Sequence, residues 1–127
     1  MVKSFNKVIG VVLLLVGLAG FAMPHLLGMH LTPVHNVVHL LTAALALYMG
    51  FAGSVDAART FSIAFGAVYL LLGVLGFVAP GVVTSVIGHP AVSAGELTPD
   101  NAVHVLLGAA YLVVGLLQSR SMTARMA

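Results

Sequence analysis

Four apolar stretches run along the chain, at about 7–24, 34–53, 60–79 and 101–118, and the segments between them hold most of the polar residues. Each stretch is close to the roughly 20 residues that a helix, rising about 1.5 Å per residue, needs to cross a bilayer core. The runs are continuous and show no period-two alternation, so they predict helices and not strands. The breaks have local causes. Pro24 and Pro80 end the first and third stretches, and Thr32-Pro33 and Thr98-Pro99 open the second and fourth. In that order Thr is expected as N-cap and Pro at the first helical position. Asp100 then falls in the first turn, where a carboxylate meets the positive end of the helix dipole. Gly53 and Ser54 begin a polar turn that ends near Thr60.

The pattern is written twice. Phe5 to Pro24 returns as Phe61 to Pro80, with nine of twenty positions identical, among them Gly10/Gly66, Gly17/Gly73 and Gly20/Gly76. Asn36 to Gly50 likewise answers Asn101 to Gly115. Self-similarity at this scale predicts a repeated supersecondary unit. The expected fold is all-α: one transmembrane domain over residues 1–127, a four-helix bundle of two hairpins of the same topology, about 5–53 and 61–118.

Composition places that bundle in a membrane. The chain is 61% hydrophobic and 6% charged, with a mean hydropathy of +1.15, where a soluble domain carries about 25% charged residues. Residues 1–22 mimic a signal peptide, with Lys3 and Lys7 before an apolar run and a small-x-small site at Gly20-Phe21-Ala22. Their counterpart at 61–80 lies mid-chain, so a retained first span is expected. The net charge of +2 and the absence of a basic stripe argue against a nucleic-acid partner. With no Cys, thiolate metal sites and Cys nucleophiles are excluded. With no Trp, an interfacial belt must come from Phe5, Phe51 and Phe61 at one face and Phe21 and Phe77 at the other.

Charge also predicts orientation. Lys3, Lys7, Arg59, Arg120 and Arg125 all fall at one side of the four spans, and the opposite loops carry His25, His30, His89, Glu96 and Asp100. The positive-inside rule then puts both termini in the cytoplasm and loops 25–33 and 80–100 outside, in a multi-pass protein of the plasma (inner) membrane. Loop 80–100, rich in Gly, Ser, Val and Pro, is expected to lie on the membrane surface or to cover the bundle's outer end.

Two sets of residues invite a functional reading. Gly10, Gly17 and Gly20 share one helix face, and Gly66, Gly73 and Gly76 repeat it. In lipid, small residues let helix backbones approach closely, so these faces predict tight packing, with room for a flat cofactor as the alternative. The second set opens the even helices. His35 and His39 are four residues apart, as are Asp100 and His104, so each pair shares a face. The repeat superposes His35 on Asp100, Asn36 on Asn101 and His39 on His104. One reading is a structural polar clasp of Asn36, His39, Asn101 and His104. A second is a metal site of His35, His39, Asp100 and His104, since neutral imidazole suits zinc, iron and copper. A third is axial ligation of a haem or chlorophyll-type pigment by His39 and His104. A proton relay or pH sensor is a fourth. A di-iron carboxylate site is excluded, because Glu96 is the only Glu. Tyr48, Tyr69, Tyr111 and Thr42 are expected in the core, finding hydrogen-bond partners there.

The segments Pro33-Val34-His35-Asn36-Val37-Val38-His39-Leu40, Asp100-Asn101-Ala102-Val103-His104-Val105-Leu106-Leu107-Gly108 and Leu70-Leu71-Leu72-Gly73-Val74-Leu75-Gly76-Phe77 resemble a family of small bacterial four-helix membrane proteins known only as a domain of unknown function. The likeness spans about residues 5–118. It implies the fold, a bacterial origin and a plasma-membrane address, and no reaction. Thr42 and Ala43 depart from the fourth helix, which has Leu107 and Gly108, so a looser fit is expected for the second helix. The functional expectation is a non-catalytic accessory or interaction subunit with no cofactor and no catalytic residues. Its partners are the lipid bilayer and either other membrane subunits or copies of itself. The alternative is a redox protein that binds a metal ion, haem or pigment.

Overall fold

A computed structural model describes residues 1–119. Among these the chain is helical and has no strand. Helices α1 (Val2–Ala22), α2 (Pro33–Phe51), α3 (Val55–Val78) and α5 (Thr98–Leu117) are each long and apolar enough to cross a membrane. A fifth, α4 (Pro80–Ile87), is short, and one 3₁₀ turn lies at Leu26–Gly28. The sequence reads 80–100 as loop, so α4 is a correction. Its Gly, Ser and Thr content hides the helix, but the hydroxyls of Thr84 and Ser85 turn back onto the carbonyl of Gly81. Gly88, at φ 69°, then stops it in the left-handed conformation that favours glycine.

The other helix ends agree with the residues in part. Thr32 caps α2 by accepting from the His35 N–H at 3.1 Å, and Ser54 caps α3 through Ala57. Thr98 does not cap α5; its hydroxyl bonds Ala94. The chain is already turning there, because Ser93 and Glu96 form a reciprocal capping box one turn earlier.

α1 packs mainly against α2, and α3 against α5. The glycine faces line these contacts. A Cβ on Gly10 or Gly17 would meet the side chains of Leu47 and Leu40 at 2.7 and 2.8 Å, and one on Gly20 would run into Asn36. In the second hairpin backbone is among the obstacles. Gly66 would meet the Leu112 nitrogen at 2.7 Å and Gly73 the Val105 nitrogen at 2.8 Å, while Gly76 would collide with Asn101. Gly108 faces the backbone of Leu70. The second hairpin is thus the tighter one, as Ala43 in place of glycine on α2 suggests.

Between the hairpins the core is aromatic and sparsely polar. Tyr111 is fully buried and packs edge-on against Phe5 and Phe61. Phe5 and Phe61 therefore belong to this core and not to an interfacial belt; Phe51, Phe21 and Phe77 are exposed. Tyr69 donates to Thr42 at 2.9 Å across the hairpins. Tyr48 is exposed, against the expectation of a core position. At the basic end Asn6 donates to Ser62 at 2.9 Å, and both are fully buried. Lys3, Lys7 and Arg59 share that end, where Arg59 donates to the carbonyl of Gln118. Arg120 and Arg125 lie outside the described residues.

The glycine contacts yield a direct test. Gly73→Ala forces a methyl against the side chain and the backbone nitrogen of Val105 and is expected to cost about 1–3 kcal/mol of stability in detergent, as overpacking does. Gly81→Ala has nothing within 4 Å and is expected to be neutral or mildly stabilising. Thermal unfolding of the two variants side by side checks this; equal tolerance would show that Gly73 marks no tight contact.

Candidate metal centre

Residues near the starts of α2 and α5 converge beneath the loops at the end opposite the lysines. Thr32 ties the first of these starts to α4, its hydroxyl donating to the carbonyl of Ile87. The helical turn then carries His35 and His39 on one face of α2, and α5 brings His104 to meet them. All three are buried, at 3–4% exposure. One ring nitrogen from each lies within 4.8 Å of the others. The His35 ring centroid is 4.3 Å from that of His39 and 5.5 Å from that of His104.

The hydrogen bonds decide which nitrogens are available. His35 Nδ1 lies 2.7 Å from the carbonyl oxygen of His30. A carbonyl can only accept, so Nδ1 carries the proton and Nε2 keeps the lone pair. That Nε2, like Nδ1 of His39 and of His104, is buried with no hydrogen-bond partner among the described residues. Three neighbouring imidazoles, each with an unpaired buried nitrogen, are costly unless something binds them. Ligands about 2 Å from one ion sit about 3.3 Å apart, so a small ring adjustment gathers the three around a metal.

Asp100 does not join them. Its carboxylate accepts from the His30 backbone N–H at 2.9 Å and lies 2.7 Å from His30 Nδ1. It thus clamps the first loop to α5, and the loop's His30 carbonyl in turn holds His35. Asp100 is a support two bonds removed from the trio, where the sequence reading makes it a ligand. Nothing in the sequence marks His30 for this role, because a loop histidine has no helical spacing.

The clasp read from the sequence divides in two. Asn36 packs on Gly20 and donates to the carbonyl of Leu31 at 3.3 Å, and Asn101 packs on Gly76. Each Asn therefore stays inside its own hairpin, and only the histidines meet between hairpins. No hydrogen bond joins Asn36, His39, Asn101 and His104 to one another among the described residues.

Space bears on the choice of ligand. A cavity of about 30 Å³ is lined by His35, His39, His104 and Tyr69, with Val83 and Ile87 of α4 alongside. That volume holds an ion or a water, whereas organic cofactors occupy pockets of about 300–1,000 Å³. The glycine faces that a flat ring would require are filled by Leu40, Leu47, Val105 and Leu112. On the far side, His39 and His104 also line a cavity of about 90 Å³ with Leu13, Met29 and Leu107.

These features define a multi-pass, all-helical membrane protein with a group of three buried histidines near one end of a four-span bundle. The chain belongs to the family described as a domain of unknown function, DUF4383, whose profile matches residues 3–117. No curated protein and no solved structure matches it.

The clamp makes its own prediction. Asp100→Ala leaves the His30 N–H and ring nitrogen without their acceptor and is expected to destabilise the protein by about 1–3 kcal/mol. Limited proteolysis of reconstituted protein should also cut faster within residues 25–31. Unchanged cleavage would mean that the carboxylate does not hold the loop.

Proposed function

We propose that this membrane protein holds a transition-metal ion of the zinc and copper class on His35, His39 and His104, and that it does so as a non-catalytic component of a membrane assembly or of its own oligomer. The observation that carries the metal reading is the convergence of three buried imidazoles from α2 and α5, each with an unpaired ring nitrogen. Neutral imidazoles are good ligands for such ions. His35 also has the outer support usual for a metal-binding histidine, an N–H held by a carbonyl. The non-catalytic reading is supported by the disposition of the carboxylates. Asp100 is engaged by His30, Glu96 caps the turn at Ser93, and Asp56 lies in the first turn of α3 at the other end.

Metal content and substitution at His39 test this together. Purified protein equilibrated with Zn²⁺ should retain one tightly held ion, and His39→Asn, His39→Gln and His39→Leu should all lose it. If the histidines serve only as a clasp, no stoichiometric metal will be found, and stability will be graded, with Leu worse than Asn or Gln by about 1–3 kcal/mol. A Soret or chlorin band lost in all three variants would favour haem or pigment instead.

The address we propose is the plasma membrane of a bacterium, with the lysine end cytoplasmic. The shared end of Lys3, Lys7 and Arg59 supports this through the positive-inside rule. In this Cys-free chain, Ser93→Cys should react with an impermeant thiol reagent on intact cells and Ser54→Cys only after lysis. The reverse pattern would invert the topology.

A further inference from the structure

The chain has six histidines, and the other three stand directly over the buried trio. His25, His30 and His89 line a cavity of about 260 Å³ at the loop end, together with Pro24, Thr32 and Pro33. The ring centroids of His30 and His89 are 4.9 Å apart, and those of His25 and His30 are 6.4 Å apart. Two of these rings are already set to present Nε2. His30 Nδ1 is 2.7 Å from the Asp100 carboxylate, and His89 Nδ1 is 2.7 Å from the Pro90 carbonyl. Both oxygens accept, so in the neutral rings Nδ1 is the proton carrier and Nε2 holds a lone pair. His25 is exposed at the rim. The two groups of three are linked through His30, whose carbonyl receives the His35 Nδ1–H.

We infer that His25, His30 and His89 form a capture site that takes a divalent transition-metal ion from water and passes it to His35, His39 and His104. The inference rests on the metal reading of the buried trio. A hydrated dication does not cross apolar packing, so a site at the hydrocarbon edge needs ligands on the way in that replace water one at a time. The cavity between the loops supplies imidazoles where solvent still reaches. Its rings are spaced more widely than the buried ones, which suits weaker and faster binding. Neutral imidazoles displace water without releasing protons, so transfer is a plain exchange of ligands. The last step requires the loop at residues 23–32 to shift, and its tie to α5 is the clamp of Asp100 on His30.

Zn²⁺ binding to the full chain in detergent, followed at equilibrium and by stopped flow against a chelating dye, tests the order of events. The parent should bind two Zn²⁺, one tightly and one at least tenfold more weakly. His25→Ala/His89→Ala should lose the weak ion, keep the tight one at equilibrium and load it at least tenfold more slowly. His39→Gln/His104→Gln, which retains side-chain volume and hydrogen-bonding capacity, should lose only the tight ion. Unchanged stoichiometry and loading rate in His25→Ala/His89→Ala would overturn the capture site and leave the buried site standing. A single weak ion, lost in His25→Ala/His89→Ala and kept in His39→Gln/His104→Gln, would overturn the buried site and with it the transfer. No Zn²⁺ in the parent would overturn both.

Discussion

Inside a bilayer a polar side chain has no water to turn to, and that constraint organises the rest of this molecule. Every polar group on a span must find a partner within the bundle or reach its ends. The lipid side is accordingly apolar, with Leu15, Leu41, Leu71 and Leu106 exposed. The inward polar groups form three levels. Asn6 and Ser62 meet near the lysine end, Thr42 and Tyr69 meet in the middle, and the histidines gather near the loops. The first two levels are hydrogen-bonded pairs, although Asn6 Oδ1 and the hydroxyl of nearby Tyr111 have no partner among the described residues. The third differs in bringing three imidazoles together, each with a ring nitrogen that has no partner among the described residues.

Lipid also removes the hydrophobic drive for helices to associate, so close backbone approach must supply it. Glycine does so here, and it sets two different spacings. Within a hairpin, Gly66, Gly73 and Gly108 bring α3 and α5 so near that a single methyl is too large. No ring fits in such a contact. Aromatic and imidazole rings are left to the seam between hairpins, where Phe5, Phe61, Tyr69 and Tyr111 stack below the histidines. Small residues that look purely structural thereby decide where the chemistry can sit. Asn36 and Asn101 make the distinction visible: each is slim enough to lie against a glycine, and each remains inside its hairpin.

How much of this is legible in the sequence depends on whether a feature repeats along a helix. The spans, the Thr32 cap and the glycine faces are readable, because helical period and local capping chemistry write them directly. His35, His39 and His104 can be singled out by spacing and by their matching places in the two halves. Asn6 and Ser62 were within reach on the same grounds, since the 56-residue offset that aligns Phe5 with Phe61 also aligns them. What the sequence hides is long-range or depends on direction. Phe5 and Phe61 sit at a span's end, as belt residues do, and only the rotation of their helices turns them inward. Thr98 looks like a cap until Ser93 and Glu96 are seen to start the turn earlier. Asp100 has the spacing of a ligand to His104, yet its partner, His30, lies 70 residues away.

That last contact shows how a carboxylate can order a cluster of histidines without entering it. Asp100 is 1% exposed at the membrane edge, where an isolated charge is costly. It is tolerated because it sits in the first turn of α5, at the positive end of the helix dipole, and because two groups of His30 face its two oxygens. Those two contacts fix both the backbone and the ring of His30. Fixing the backbone aims the His30 carbonyl at His35, which settles the proton on Nδ1 and leaves Nε2 buried with a free lone pair on a ring beside His39 and His104. Fixing the ring leaves the Nε2 of His30 open to the cavity above. As a direct ligand, Asp100 would bring one negative charge to the trio but would release the loop, and both imidazoles would lose their orientation. Held back by one residue, it orients a nitrogen in each layer.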